Sequence, residues 1–354
     1  MDELPISLRR LIEYDGRVKS LWLSLLIIGL SLWTPTSRAS TAHRQGKLGR
    51  YEDSRLSMGC AYTIVTYGND AQKLARITSA AFDEVDRIDR LMSHYKPDSP
   101  LSRLNRDGAG GPVKVGAELF DFIEEALRYS RESEGAFDIT VGPLMKAWGF
   151  FRGEGRVPEA AEISELRRRV GYKHLILNGD EKTIRFDRPG VELDLGGIAK
   201  GYAVDSVVSL LKRHNITAAL ISACGSTLYG MGTPPDSAGW EVKIQNPVDP
   251  DKVALTVSLK DQSLSVSGSA EKFFEIDGVR YSHIMNPRTG RPVENMLGVA
   301  VLAGSGTAGD ALDNVFYVQG VERSRKLLKQ LPPTEVFFFL PGGRKKWKMV
   351  RLKN

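Results

Sequence analysis

VELDLGGIAKGYAVD, residues 191–205, changes its period in mid-course. Val191, Leu193 and Leu195 alternate with Glu192 and Asp194, the two-residue period of a strand. Gly196 and Gly197 interrupt it. Ile198, Ala199, Tyr202, Ala203, Val207, Leu210 and Leu211 then recur at helical spacing as far as His214. A glycine turn lets the main chain approach a neighbour closely. The new helix end offers unpaired N–H groups and a partial positive charge, and Lys200 adds a full one. Two readings fit: an anion cradle, suited to a phosphate, or a tight strand-to-helix connection with a solvated lysine. The stretch has neither the G-x-x-x-x-G-K-[ST] of a P-loop nor the G-x-G-x-x-G of a dinucleotide fold.

On both sides of it strands and helices are mixed. MGCAYTIVTYG (58–68) is rich in β-formers, and Lys73 to Met92 is an amphipathic helix with Leu74, Ile77, Ala81, Val85, Ile88 and Leu91 on one face. SHYKPDSPLSRLN (93–105) is expected as a loop, Glu118–Ser133 and Ile163–Val170 as helices, and GAFDITVGPL (135–144) as a connection. Residues 174–178 and 182–187 form an expected hairpin. Further strands are expected at 218–222, 240–245, 253–259, 263–267 and 297–304. Asp277-Gly278 turns another hairpin within 271–284. Helices at 307–319 and 321–331 precede a buried strand, VFFFL (336–340), and a solvated final strand within KKWKMVRLK (345–353). Consecutive hairpins mean antiparallel pairing, so the class is α+β. No internal linker divides residues 50–354, which points to one catalytic unit.

The composition, 42% hydrophobic and 26% charged over 354 residues, is that of a globular chain. A net charge of +6 and a pI of about 9.1 make it mildly basic. No long Lys/Arg run accompanies that charge, which argues against nucleic-acid binding. Leu21–Trp33 (LWLSLLIIGLSLW) is uncharged and apolar, comes after Arg9, Arg10, Arg17 and Lys19, and precedes small residues up to Ala39. This is signal-peptide or signal-anchor patterning for residues 1–39, with a buried amphipathic helix as the alternative. Residues 40–54 are expected as a linker and 55–350 as the catalytic domain. Cys60 and Cys224 are the only cysteines, too few for a disulfide framework or zinc site. Two readings stay open, a pair formed in an oxidising compartment and two small buried residues, with the second expected.

GTAGDALDNVFYVQG (306–320) sets Asp310, Asp313 and Asn314 on one face of a helix start. Three oxygen donors facing one way suit Mg²⁺; an acidic first helical turn is the alternative. In YSHIMNPRTGRPV (281–293), His283 is either a general base or a hydrogen-bonded strand-end histidine. No G-x-S-x-G, H-E-x-x-H or paired C-x-x-C motif is present, so serine-triad and zinc hydrolysis have no support.

MGCAYTIVTYG, SHYKPDSPLSRLN, GAFDITVGPL, LDLGGIAKGYAVD, SVSGSAEKFF, YSHIMNPRTGRPV and GDALDNVFYVQG resemble, in this order, the motifs of the ApbE family of FAD:protein FMN transferases. The resemblance spans about residues 55–345. It implies an α+β, T-fold-like unit with largely antiparallel sheets. It implies Mg²⁺ as cofactor and FAD as substrate, with the FMN half passed to a Thr or Ser hydroxyl of a target protein and AMP released. The implied targets are exported or membrane flavoproteins such as the FMN-binding subunits of Nqr- and Rnf-type redox complexes. The implied location is the bacterial periplasm or outer face of the inner membrane. Met58, Tyr95, Ala136, Phe137, Asp138, Asp194, Lys200 and Ile284 fall on FAD-contacting positions. The Gly197 carbonyl, Asp310, Asp313 and Asn314 fall on metal positions. His283 lies in the same site as candidate base, with Asp310 its rival. Cys60, Ser269-Ala270, Asn286 and Asn314 depart from the usual residues, but Asn314 keeps an oxygen donor. An Mg²⁺-dependent FAD pyrophosphatase would use the same residues, and an exported FAD-binding protein would lack the carboxylates.

Overall fold

The computed structural model describes residues 48–151, 153–269, 272–343 and 346–354. The expected signal segment, most of the expected linker and Ala270 lie outside them. Eight strands form the main sheet: β1 (Gly49–Ser57), β2 (Cys60–Gly68), β3 (Ala219–Ala223), β4 (Thr227–Met231), β5 (Gln262–Gly268), β6 (Gly298–Ala303), β7 (Glu335–Gly342) and β8 (Lys346–Lys353). Their spatial order is their order in the chain, and every neighbouring pair is antiparallel. The sheet is therefore a meander, and the remaining elements are insertions between its strands.

The insertion after β2 is the longest. It carries α1 (Ala71–Met92), α2 (Pro100–Asp107), α3 (Ala117–Glu132), α4 (Gly142–Ala147), α5 (Ala160–Arg167), α6 (Ala199–Arg213) and a three-stranded sheet of residues 113–114, 175–178 and 183–186. A hairpin of Trp240–Asn246 and Asp249–Leu259 comes after β4. Hairpins 273–276/279–282 and 285–286/291–292 lie between β5 and β6. Helix α7 (Gly306–Leu328) joins β6 to β7, and its backbone breaks at Gly320, where φ is 68°. That break separates the two expected helices.

Both faces of the sheet are covered, which explains the unbroken apolar runs of its inner strands. Val299, Val301, Val336 and Phe338 pack in the cluster that includes residues of α1, α6 and α7. Ala300, Leu302, Phe337 and Phe339 face the other way, in a cluster with Trp240, Val242, Ile244, Val257 and Leu259 of the long hairpin. Among the described residues no helix is long and apolar enough to cross a membrane.

Four expectations need correction. β1 begins inside the stretch expected as linker. It is an edge strand with alternately half-buried residues, so its polar sequence hides the pairing. Residues 93–105 are not all loop: Ser99 caps α2 by accepting from the Ser102 amide at 2.9 Å, and Pro100 occupies the first turn. Residues 191–195 keep the alternation, with Val191, Leu193 and Leu195 buried, but make only an isolated bridge, Glu192 to Val141. Hydrogen bonds from the Asn105 side chain replace the ladder there. Finally, Cys60 and Cys224 are not simply buried: they form a disulfide with Cα atoms 5.5 Å apart.

Candidate active site

The glycine turn is held from three sides. Asn105 acts as a surrogate strand for residue 193: its Nδ2 donates to the Leu193 carbonyl at 2.9 Å and its Oδ1 accepts from the Leu193 amide at 2.7 Å. The Asp194 amide donates to the Ile139 carbonyl at 2.8 Å, and the Asp194 carboxylate accepts from the Gly196 amide at 2.8 Å. Helix α6 then starts beside Gly306 of α7. A Cβ on Gly201 would lie 2.2 Å from the Gly306 carbonyl oxygen and 2.8 Å from Asp310 Cβ, so only glycine allows this approach. Asp205 of α6 fixes the crossing. It accepts from the Gly306 and Thr307 amides at 2.6 and 2.8 Å and from the Thr307 hydroxyl at 2.6 Å. Burial nevertheless pushes its carboxyl up from the usual range.

This crossing gathers the candidate metal ligands. Asp310 and Asp313 are 3% and 1% exposed, a costly placement for two carboxylates without compensation. Asp310 accepts from the Gly201 amide at 2.9 Å and from the Thr227 hydroxyl at 3.1 Å. The Asn314 amide nitrogen lies 3.3 Å from the Gly197 carbonyl oxygen, 2.9 Å from the Asp310 carbonyl oxygen and 2.8 Å from Asp313 Oδ1. The main-chain oxygens of Gly197 and Asp310 and a carboxylate oxygen of Asp313 thus converge on the Asn314 amide nitrogen, 117 positions from Gly197 in the chain. Among the described residues no three His, Cys, Asp or Glu side chains cluster as a metal site. The set here has only two carboxylates. Their burial, with the Gly197 and Asp310 carbonyls beside them, gives oxygen donors that fit a hard divalent cation; Asn314 faces them here through Nδ2 and would join them as a ligand only through its Oδ1, with the amide turned over.

Lys200, on the first turn of α6, hydrogen-bonds the Ser226 hydroxyl at 2.8 Å. His283 is partly buried. Its Nδ1 lies 3.1 Å from the Lys272 carbonyl, an acceptor, so Nδ1 carries the proton and a neutral ring has its lone pair on Nε2. Burial, then the charge of Lys200, lowers its pKa to about 4. His283 is therefore neutral at physiological pH and electrostatically coupled to the cradle. Tyr62, fully buried, is raised by burial and then by the charge of Asp310, and its hydroxyl donates to Met58 Sδ at 3.0 Å.

The other expected contact residues divide. Phe137 lies beside the turn, its ring 3.4 Å from where a Gly197 Cβ would stand. Asp194 faces a cleft of about 340 Å³ lined also by His94, Asn105, Lys146 and Phe151. Tyr95 stacks on Phe151 with ring centroids 4.7 Å apart. Ala136 and Ile284 are buried. Asp138 is buried too, and its carboxylate accepts from the Thr140 amide, the Thr140 hydroxyl and the Tyr172 amide. Burial raises its pKa despite these bonds. Asp138 thus organises the loop that sets the buried Ala136 and Phe137 beside the turn.

Several members of this constellation are not singled out by the sequence. Ser226 and Thr227, outside any motif, act on residues 26 and 83 positions away; Asn105 and Asp205, each the last residue of a motif, act on residues 88 and 101 positions away. His94 sits within SHYKPDS. Its Nδ1 is 3.5 Å from Asp194 Oδ1, and its buried Nε2 has no hydrogen-bond partner among the described residues.

A meander whose insertions bring a glycine turn, two buried carboxylates and a neutral histidine together is an α+β enzyme, and comparison gives its family. The ApbE family model matches residues 58–338, and the chain belongs to the ApbE family. It is 31% identical to the FAD:protein FMN transferase of Salmonella typhimurium over 84% of this chain and 87% of that one. It is 36% identical to that of Vibrio cholerae over 68% and 73%. The solved flavin transferase ApbE from Vibrio cholerae superposes with a TM-score of 0.77 at 29% identity, covering 86% of this chain and 97% of that one. The ApbE protein of Thermotoga maritima gives 0.77 at 30% identity, with the same coverages.

Proposed function

We propose that this chain is an Mg²⁺-dependent FAD:protein FMN transferase acting on a Thr or Ser hydroxyl of an exported or membrane flavoprotein, with Nqr- and Rnf-type FMN subunits the acceptor class. The observation that carries the reading is the convergence of the Gly197 carbonyl, Asp310, Asp313 and Asn314 beside Lys200 and a neutral His283. Gly197, Asp310, Asp313 and Asn314 would hold the cation. When bound, it supplies charge neutralisation for the diphosphate and the leaving phosphate.

The chain's own residues do the rest. Lys200 and the N-terminus of α6 attract the diphosphate. Tyr95, Phe137 and Met58 supply apolar surface for the rings. The acceptor hydroxyl gives its proton to His283 Nε2 as its oxygen bonds to the FMN phosphorus. The bond from that phosphorus to the AMP phosphate oxygen breaks, and AMP leaves. Phosphoryl transfer of this kind depends chiefly on positioning and charge neutralisation. At pH 7 the His283 ring is neutral and free to accept a proton, a weak base that relies on positioning for its effect. Leu21–Trp33 and the disulfide support an exported protein, because disulfides persist in oxidising compartments.

The test is incubation of the full chain with FAD, Mg²⁺ and an acceptor domain bearing the target Thr, and then a denaturing gel read for flavin fluorescence. A fluorescent acceptor band, lost in Asp310→Ala, supports transfer. Free FMN and AMP without a labelled acceptor would identify a pyrophosphatase. FAD binding without turnover would identify a binding protein.

A further inference from the structure

We infer that the Cys60–Cys224 disulfide is a positioning clamp for the FAD site, so that a dithiol reductant lowers this enzyme's affinity for FAD. The inference rests on the proposed FAD site. The bridge joins two tight turns that both serve it. One is Met58-Gly59, with φ of 50° and 80°, between β1 and β2; Cys60 is the next residue. The other is Cys224-Gly225, with φ of 57° and 69°, between β3 and β4. Strand pairing between β2 and β3 ends at Tyr62 and Ala223, and one further hydrogen bond, Cys224 amide to Ala61 carbonyl, precedes the bridge.

The residues next to each turn give the bridge its role. Ser226 holds Lys200 and Thr227 holds Asp310, at 2.8 and 3.1 Å. Met58 meets Tyr62, which pairs with Ala223 at the edge of the second turn. The disulfide therefore ties the flavin-side turn to the turn that orients the cradle lysine and a carboxylate. Met58 and Cys224 both hold left-handed backbone angles that side-chain-bearing residues adopt at a cost. Both cysteines are only partly buried, which leaves the bridge open to exchange. In that exchange a dithiol's thiolate attacks one sulfur to give a mixed disulfide. Its second thiol then displaces that mixed disulfide. The protein gains two electrons and two protons, and the dithiol becomes a cyclic disulfide.

The experiment measures the Kd for FAD by flavin fluorescence, together with kcat and KM for FAD. Three samples are compared: oxidised wild type, wild type reduced with dithiothreitol until two thiols are counted, and Cys60→Ser/Cys224→Ser. The expected result is a rise of about tenfold in Kd and KM on reduction, with kcat at saturating FAD retained. The double variant starts at the raised values and does not respond to dithiothreitol. Circular dichroism that stays native separates this from unfolding. Values within twofold of the oxidised enzyme, with two thiols free, overturn the clamp alone. Absence of FAD binding in every sample overturns the proposed site and the clamp with it.

Discussion

His283 shows how a single residue acquires its chemistry from its surroundings. The Lys272 carbonyl fixes its tautomer, and burial and Lys200 keep it neutral down to about pH 4. His283→Ala should therefore lower kcat about 10²- to 10⁴-fold, read from initial rates of acceptor labelling. In wild type the acidic limb of kcat/KM against pH, which reports the free enzyme, should fall near 4, well below the ordinary 6.5. The same shift affects stability. The unfolded histidine binds a proton below pH 6.5 and the folded one only near 4, so the unfolded state holds more protons in between. This contribution is complete above pH 6.5 and is lost as pH falls towards 4. Urea midpoints at pH 4.5 and 7 should move less in His283→Ala than in wild type.

The elements bring the site together through two close approaches. Where α6 meets α7, Gly201→Ala would drive a methyl into the Gly306 carbonyl, which is backbone and cannot swing aside. The expected loss is about 1–3 kcal/mol of stability, measured by denaturant melts, with transfer activity falling as Asp310 is displaced. Where α2 meets residues 191–195, Asn105→Ala removes both hydrogen bonds to Leu193. Stability should fall by about 1–3 kcal/mol and KM for FAD should rise. These contacts also mark the limit of what the sequence could say. The apolar periods of α1, α6 and β7 and the Asp277-Gly278 hairpin were legible because each pattern is local. β1 was not, because an edge strand can be polar. β4 was not, because five buried residues beginning two positions after a left-handed turn carry no alternation. Within the site, the carboxylates, Lys200 and His283 were legible from their motifs. Thr227 and Ser226, outside any motif, were not, and neither were the roles of Asn105 and Asp205 inside theirs, because what defines them is a partner far along the chain.

Taken as one body, the meander is a frame, and the chemistry lies in what is inserted between its strands. The insertion between β2 and β3 brings the glycine turn and the Tyr95–Phe151 stack. The connection between β5 and β6 brings His283, and α7 brings the carboxylates. The disulfide closes a loop across the largest insertion, over a separation of 164 residues. The chain-entropy model assigns such a crosslink about 5 kcal/mol, so Cys60→Ser/Cys224→Ser should melt several degrees lower by calorimetry. An unchanged melting temperature would mean that native contacts alone hold the two turns.

Whether this frame transfers FMN to a protein hydroxyl is decided by the stoichiometry of products. AMP is measured by chromatography and acceptor-bound flavin by intact-mass spectrometry, in one reaction. One AMP should appear for each acceptor that gains FMN less water, with neither product formed by Asp310→Ala. AMP matched by free FMN, with the acceptor mass unchanged, would refute the transfer.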